Sequence, residues 1–191
     1  MSVSYTKIDY KSINSCKVIL NMTPAIHTIC DATHRTKMAA FDFDWTIVNP
    51  KGGKTFPVSI DDWEWYHPSV PAKLKQFNAD GYMVVIFTNQ SKKWKCDQLV
   101  LVAETLNIPM FIVIATDKCD YKPNPCLLSA LIGDNIIDKE RSFFVGDALG
   151  RKVDFADSDK VFAENIGIKW YSPESIFTSS PTMREVFTLP D

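Results

Sequence analysis

Asp42 and Asp44 lie two residues apart where an apolar run, Met38 to Phe43, gives way to Trp45-Thr46. An ionised carboxylate beside Ala39-Ala40-Phe41 is costly to bury without a partner, so the pair reads as chemistry. Thr88-Asn89-Gln90 follows a second apolar run, Met83 to Phe87, and Gly146-Asp147-Ala148 follows another, Ser142 to Val145. Lys122 stands in Tyr121-Lys122-Pro123-Asn124-Pro125, after the run Met110 to Ala115. These groups suit phosphoryl transfer through an aspartyl-phosphate. One carboxylate attacks phosphorus, a second acid protonates the departing oxygen, and a divalent cation with a lysine offsets the charge of the phosphate oxygens. Side chains two apart on an extended chain face the same way, so Asp42 and Asp44 are expected to flank one phosphate. An oxygen-rich ligand set favours Mg²⁺ over zinc. Gly146 is read as the residue that lets the backbone turn sharply beside Asp147.

The runs that end in these groups are short and nearly unbroken, with Ile166 to Trp170 as a weaker fifth. Runs without alternation suit strands covered on both faces, as in a parallel sheet. Helical stretches alternate with them: Val70 to Ala79 before Asp80-Gly81, Asp97 to Leu106 before Pro109, and Pro125 to Ile132 before Gly133. The alternation predicts an α/β fold, a doubly wound, mainly parallel, Rossmann-like sheet whose ligand site lies beyond the carboxyl ends of its strands. Residues 1–37 carry one plausible edge strand, Lys17 to Met22, and otherwise read as an irregular lead-in or an edge hairpin, residues 38–178 read as the domain proper, and residues 179–191 as a tail. Residues 46–69, with Trp63, Trp65 and Tyr66, make a long connection after the first strand and are expected to form a flap. Its aromatic residues are expected to pack within the protein. Gly53-Lys54-Thr55 is not the end of a P-loop, because Val48 occupies the place of the first glycine.

The chain has 191 residues, 46% hydrophobic and 23% charged, which suits one soluble globular domain, with a monomer the simplest expectation. Twenty-one basic against 23 acidic residues give a net charge of −2, which excludes tight, sequence-independent coating of a polyanion and leaves room for a local basic patch. Lys92, Lys93 and Lys95 surround Trp94. That cluster reads equally as a solvated turn and as a grip on a nucleic-acid backbone, with a base stack worth roughly 1–3 kcal/mol. Five cysteines, at 16, 30, 96, 119 and 126, contain no CxxC pair, so free thiols in a reducing compartment, nucleus or cytoplasm, are expected. No window offers the roughly 18 apolar residues of a membrane span. His27, His34 and His67 are isolated and read as loop residues.

Taken in order, Asp42-Phe43-Asp44-Trp45-Thr46, Thr88, Lys122 and Gly146-Asp147 resemble the four signature motifs of the haloacid dehalogenase superfamily. Within it the chain is most similar to the phosphatase domain of the polynucleotide kinase 3′-phosphatase family and to stand-alone DNA 3′-phosphatases. The likeness rests on Gly52-Gly53-Lys54-Thr55-Phe56-Pro57 with Asp62-Trp63, Gly81 to Gln90, Lys122-Pro123, Val145 to Arg151, Asp154-Phe155 and Asp159 to Ala163, and spans residues 38–178. It implies a Mg²⁺-dependent phosphatase domain that removes 3′-phosphate from DNA ends during repair, with a DNA ligase or another repair protein as partner; with no P-loop in the chain, no kinase half is expected. Asp42 would be nucleophile and metal ligand, and Asp44 general acid and then base. Thr88, Asn89 and Lys122 would hold the phosphate, while Lys92, Lys93 and Trp94 would contact the strand. Asp147 and the backbone carbonyl of Asp44 would complete the metal site, and Asp154 would order metal-bound water. Three positions depart from the family pattern: Trp45 replaces a glycine, Tyr121 an arginine, and Ser91 to Cys96 a Gly/Arg-containing loop. Two other readings stay open, a small-molecule phosphatase of the histidinol- or sugar-phosphate type and a non-catalytic DNA-end-binding module.

Overall fold

The computed structural model of the chain describes residues 16–19 and 24–178; the expected tail and most of the lead-in lie outside these. In chain order the strands and helices are β1 (Cys16–Ile19), β2 (Ala25–Ile29), β3 (Met38–Phe41), β4 (Val48–Asn49), β5 (Glu64–Trp65), α1 (Val70–Ala79), β6 (Met83–Asn89), α2 (Lys93–Leu106), β7 (Met110–Ala115), α3 (Cys126–Ile132), β8 (Phe143–Val145), α4 (Ser158–Ile166), β9 (Lys169–Tyr171) and α5 (Pro173–Phe177).

The apolar runs form the expected sheet, with strand order β1-β2-β7-β6-β3-β8-β9. β7, β6, β3, β8 and β9 are parallel, while β2 runs antiparallel to β7 and β1 antiparallel to β2. Every residue of β3 is buried because both faces are covered. Ala39 and Phe41 face α1, α2 and α5 through Leu74, Val102 and Phe177. Met38 and Ala40 face α3 and α4 through Leu131 and Phe162. From β3 the chain steps outward to β6 and β7, then returns to the opposite side of β3 to form β8. That reversal opens a crevice at the carboxyl ends of β3 and β8. The fold is the doubly wound, mainly parallel α/β sheet expected from the sequence.

Several elements differ from the sequence reading or sharpen it. β2 pairs with β1 as an edge hairpin, one of the two readings of this region, and it places His27, read as a loop residue, opposite Ile112 and buried. Burial lowers the pKa of that imidazole. α2 begins at Lys93 rather than Asp97, so the basic cluster is a helix start. α4 was not anticipated, and the fifth strand begins only at Lys169, after Gly167 ends α4 with φ 76°. The first strand stops at Phe41. The connection after β3 forms the expected flap, a β4–β5 pair with Val48 opposite Trp65. Asp62 pins its loop by accepting from Val58 N–H (3.0 Å) and Lys54 Nζ (3.1 Å). Trp63 meets Trp65 edge-on at 5.0 Å, and both pack against the core.

Candidate active site

Asp42 continues the β3–β8 ladder by donating its N–H to Val145 O at 2.8 Å, which fixes its carboxylate at the mouth of the crevice. Thr88 is the penultimate residue of β6 and is 1% exposed. Lys122 reaches the same place from the loop after β7, held there by Asn89. The Lys122 N–H donates to Asn89 Oδ1 (2.8 Å), and Asn89 Nδ2 donates back to Lys122 O (3.3 Å). Both ends of the Asn89 amide are therefore engaged with the lysine backbone, so Asn89 positions Lys122 where a phosphate contact was expected. Lys122 Nζ donates to Asp42 Oδ1 at 2.5 Å and to Asp159 Oδ1 at 2.7 Å.

Carboxylate oxygens of Asp42, Asp147 and Asp159 lie within 4.8 Å of one another. Burial pushes the Asp42 carboxyl well above the usual range; Lys122 opposes this, and Asp159 and Asp147 add to it. Asp147 rises to about 7, first by burial and then by the charge of Asp159. For Lys122, burial acts to lower the pKa, but Asp159 and Asp42 outweigh it, so the ammonium is held above the ordinary lysine range. Three carboxylates against one lysine leave an uncompensated negative charge, and this set of hard oxygen donors fits a divalent cation. Asp159 Oδ1 already accepts from Lys122 and its Oδ2 from Ala148 N–H (3.1 Å). Asp42 and Asp147 are thus the carboxylates best able to take a metal, and Asp159 anchors the lysine.

Asp44 does not share an extended strand with Asp42. Its neighbour Trp45 takes a left-handed φ of 58°, a conformation a non-glycine residue pays roughly 1–2 kcal/mol to adopt. The Asp44 carboxylate accepts from Lys95 Nζ (2.5 Å) on Oδ1 and from Gln90 Nε2 (2.8 Å) on Oδ2. Gln90 Nε2 also donates to Thr88 Oγ1 at 3.0 Å. Asp42, Asp44, Thr88, Lys122 and Asp147 all line one chamber of about 240 Å³. Asp44 and Trp45 also border a wider cleft of about 820 Å³, together with Phe56 from the flap, Lys92 just before α2, Trp94 in its first turn, and Phe155.

A sequence model of the polynucleotide kinase 3 phosphatase family matches residues 37–177. The chain belongs to that family. It is 54% identical to the polynucleotide 3′-phosphatase of Saccharomyces cerevisiae, with 83% of this chain and 95% of the yeast protein covered. It is 37% identical to the bifunctional polynucleotide phosphatase/kinase of Schizosaccharomyces pombe, covering 74% of this chain but only 37% of that longer protein. Among solved structures, the D,D-heptose 1,7-bisphosphate phosphatase of B. bronchiseptica superposes with a TM-score of 0.54 at 17% identity, over 76% of this chain and 87% of that one. That likeness bears on the fold alone.

Within this family frame, the structure splits the basic cluster. Lys92 and Lys93 are exposed, and Lys92 Nζ sits 5.9 Å from the half-buried Trp94 ring. Lys95, read from the sequence only as a member of a cluster that is either a solvated turn or a grip on a strand, is buried against Asp44. Asp154 is likewise turned inward. Its Oδ2 accepts from Leu149 N–H and Arg151 N–H, each at 3.0 Å, and from Arg151 Nε at 2.9 Å, so it shapes the loop after Asp147. Asp159 and Gln90 are site residues to which the sequence reading gave no role of their own, and Lys95 was read there only as one lysine of a basic cluster. Gln90 adjoins Thr88-Asn89, which marked it. Asp159 lay in a string quoted for the resemblance, but without α4 nothing tied it to Lys122.

Proposed function

We propose that this chain is a phosphoric monoester hydrolase, a polynucleotide 3′-phosphatase that restores 3′-hydroxyl ends in DNA through a phospho-Asp42 intermediate, with Mg²⁺ as cofactor. The observation that carries the reading is the meeting of Asp42, Thr88, Lys122 and Asp147 in one small chamber that opens into a wide, aromatic-rimmed cleft. The chamber suits a phosphate and the cleft the nucleotides behind it. Names of relatives, among them the yeast 3′-phosphatase, support the substrate class.

Lys122 and the Thr88 hydroxyl hold the phosphate oxygens; Gln90 donates to Thr88 Oγ1, which leaves the hydroxyl proton for the substrate. The free Oδ of Asp42 attacks phosphorus in line. The P–O3′ bond breaks, its electron pair stays on the 3′-oxygen, and Asp44 supplies the proton. Asp44, now ionised, takes a proton from the water that attacks phospho-Asp42, releasing inorganic phosphate and restoring both carboxyl groups. Asp42 and Asp147, with the backbone carbonyl of Asp44, would hold Mg²⁺, which supplies charge neutralisation at the phosphate oxygens. Phe56 and Phe155, 74% and 83% exposed on the cleft, offer faces for base stacking.

The test is hydrolysis of a 3′-phosphorylated nicked duplex with Mg²⁺ by the unmodified chain and by Asp42→Asn. A loss of about 10³-fold or more is expected for removal of a nucleophile. Full activity in the variant would overturn the mechanism, and preferential turnover of histidinol phosphate by the unmodified chain would overturn the substrate class.

A further inference from the structure

The geometry points to Lys95 as a positioning residue that sets the orientation of Asp44 and ties it to the seating of the flap. This rests on the reading of Asp44 as the acid for the leaving 3′-oxygen. The Lys95 side chain is 7% exposed and that of Asp44 32%. A buried ammonium is costly to keep without an anionic partner, and Asp44 supplies that partner, so the same contact that offsets the burial of Lys95 fixes the orientation of the Asp44 carboxylate. Lys95 Nζ lies 5.2 Å from the Phe43 ring and 5.7 Å from the Trp94 ring, an enclosed position that leaves it little freedom to swing away. It takes Asp44 Oδ1, and Gln90, which also reaches Thr88 Oγ1, takes Oδ2. With Oδ1 held by the charge-assisted bond, the stronger kind, Oδ2 is kept on the Thr88 side of the chamber.

The other end of this chain of contacts reaches the flap. Gln98, fully buried one helical turn on, accepts from Lys95 Nζ on Oε1 (2.8 Å). Its Nε2 donates to the backbone carbonyls of Ser59 and Ile60, each at 3.1 Å. The buried amide therefore meets both the flap and the lysine, and a displaced flap would remove the acceptors that fix it. The contacts run without a gap from the Ser59-Ile60 segment through Gln98 and Lys95 to Asp44. None of Asp42, Lys122, Asp147 and Asp159 takes part.

The experiment compares kcat/KM of the unmodified full chain, Lys95→Met, Gln98→Leu and Asp44→Asn on a 3′-phosphorylated oligonucleotide and on aryl phosphates from phenyl to dinitrophenyl phosphate. A mispositioned acid costs most when the leaving oxygen is basic. Lys95→Met is expected to lose about 10- to 100-fold on the oligonucleotide and on phenyl phosphate, and no more than about threefold on dinitrophenyl phosphate, which needs no proton to leave. Gln98→Leu is expected to lose less, with the same dependence. Lys95→Gln, which keeps a donor, is expected to recover part of the loss, and it provides the reading if the Met variant does not fold. A uniform loss across leaving groups, or no loss, would overturn the positioning role. If Asp44→Asn itself shows no leaving-group dependence, the reading of Asp44 as the acid fails instead. Turnover of aryl phosphates without oligonucleotide turnover would count against the DNA reading alone.

Discussion

Gly146 offers the sharpest test of how this site is held together. A Cβ built on Gly146 would stand 2.6 Å from Asp159 Cγ and 2.7 Å from its Cβ, closer still to Oδ2. To reach ordinary contact the Asp159 side chain must retreat by about 1 Å, and it has nowhere to go. It is 2% exposed, bonded to Lys122 Nζ at 2.7 Å and to Ala148 N–H at 3.1 Å. Overpacking of this kind costs about 1–3 kcal/mol, and breaking a buried ion pair about 3–5 kcal/mol. Gly146→Ala is therefore expected to lose on the order of 4 kcal/mol, read as a shift in the urea midpoint with unchanged slope. Lys122 loses one of its two carboxylates, so kcat/KM is expected to fall about 10- to 100-fold, by the usual worth of a charge-assisted bond at the reacting group. In an Asp159→Gly background the same substitution meets no side chain, and its cost is expected to shrink to within about 1 kcal/mol. Unchanged stability and activity in Gly146→Ala, or full additivity in the double variant, would refute the reasoning.

The raised acids make stability depend on pH. Asp147 titrates at about 7 in the folded chain and near the usual carboxylate range unfolded, so the folded state binds more protons between those limits. The metal-free chain is thus expected to lose stability as pH rises from about 4 to 7, on the order of 4 kcal/mol from Asp147 alone. Added Mg²⁺ should restore more at pH 7.5 than at pH 5.5; denaturant titrations with chelator and with metal check both, and a metal-free stability that climbs through that window would contradict the assignment. Phe56→Ala and Phe155→Ala are each expected to raise KM for the oligonucleotide about 5- to 100-fold, from a stack of roughly 1–3 kcal/mol, with aryl phosphates unaffected. Steady-state kinetics on both substrates measure this, and equal losses on both would point to a structural role.

Much of this was legible in the chain. Unbroken apolar runs such as Met83 to Phe87 become strands buried on both faces, because a parallel sheet leaves them no wet side. Helix ends at Asp80-Gly81 and Gly133 follow from local backbone chemistry. The short strands and the start of α2 were harder, since Lys93-Trp94-Lys95-Cys96 carries no local stop or start signal that outweighs tertiary packing.

By itself the sequence determined which residue types arrive at the edge of the sheet: Asp42 after β3, Thr88 at the end of β6, Asp147 after β8, and Lys122 before α3. Each follows from local order, an apolar run and the polar residue that ends it. Only the tertiary structure decided what those residues meet. Asp159, 37 positions after Lys122, is its second carboxylate, and Lys95, 51 positions after Asp44, is the cation that clamps that acid. Gly146, read as a freely turning backbone, is absent from the left-handed positions and is a glycine because the carboxylate of α4 occupies the space of its side chain. Ion pairs and close approaches between distant segments depend on how helices dock on the sheet, and no local pattern of the chain encodes that distance.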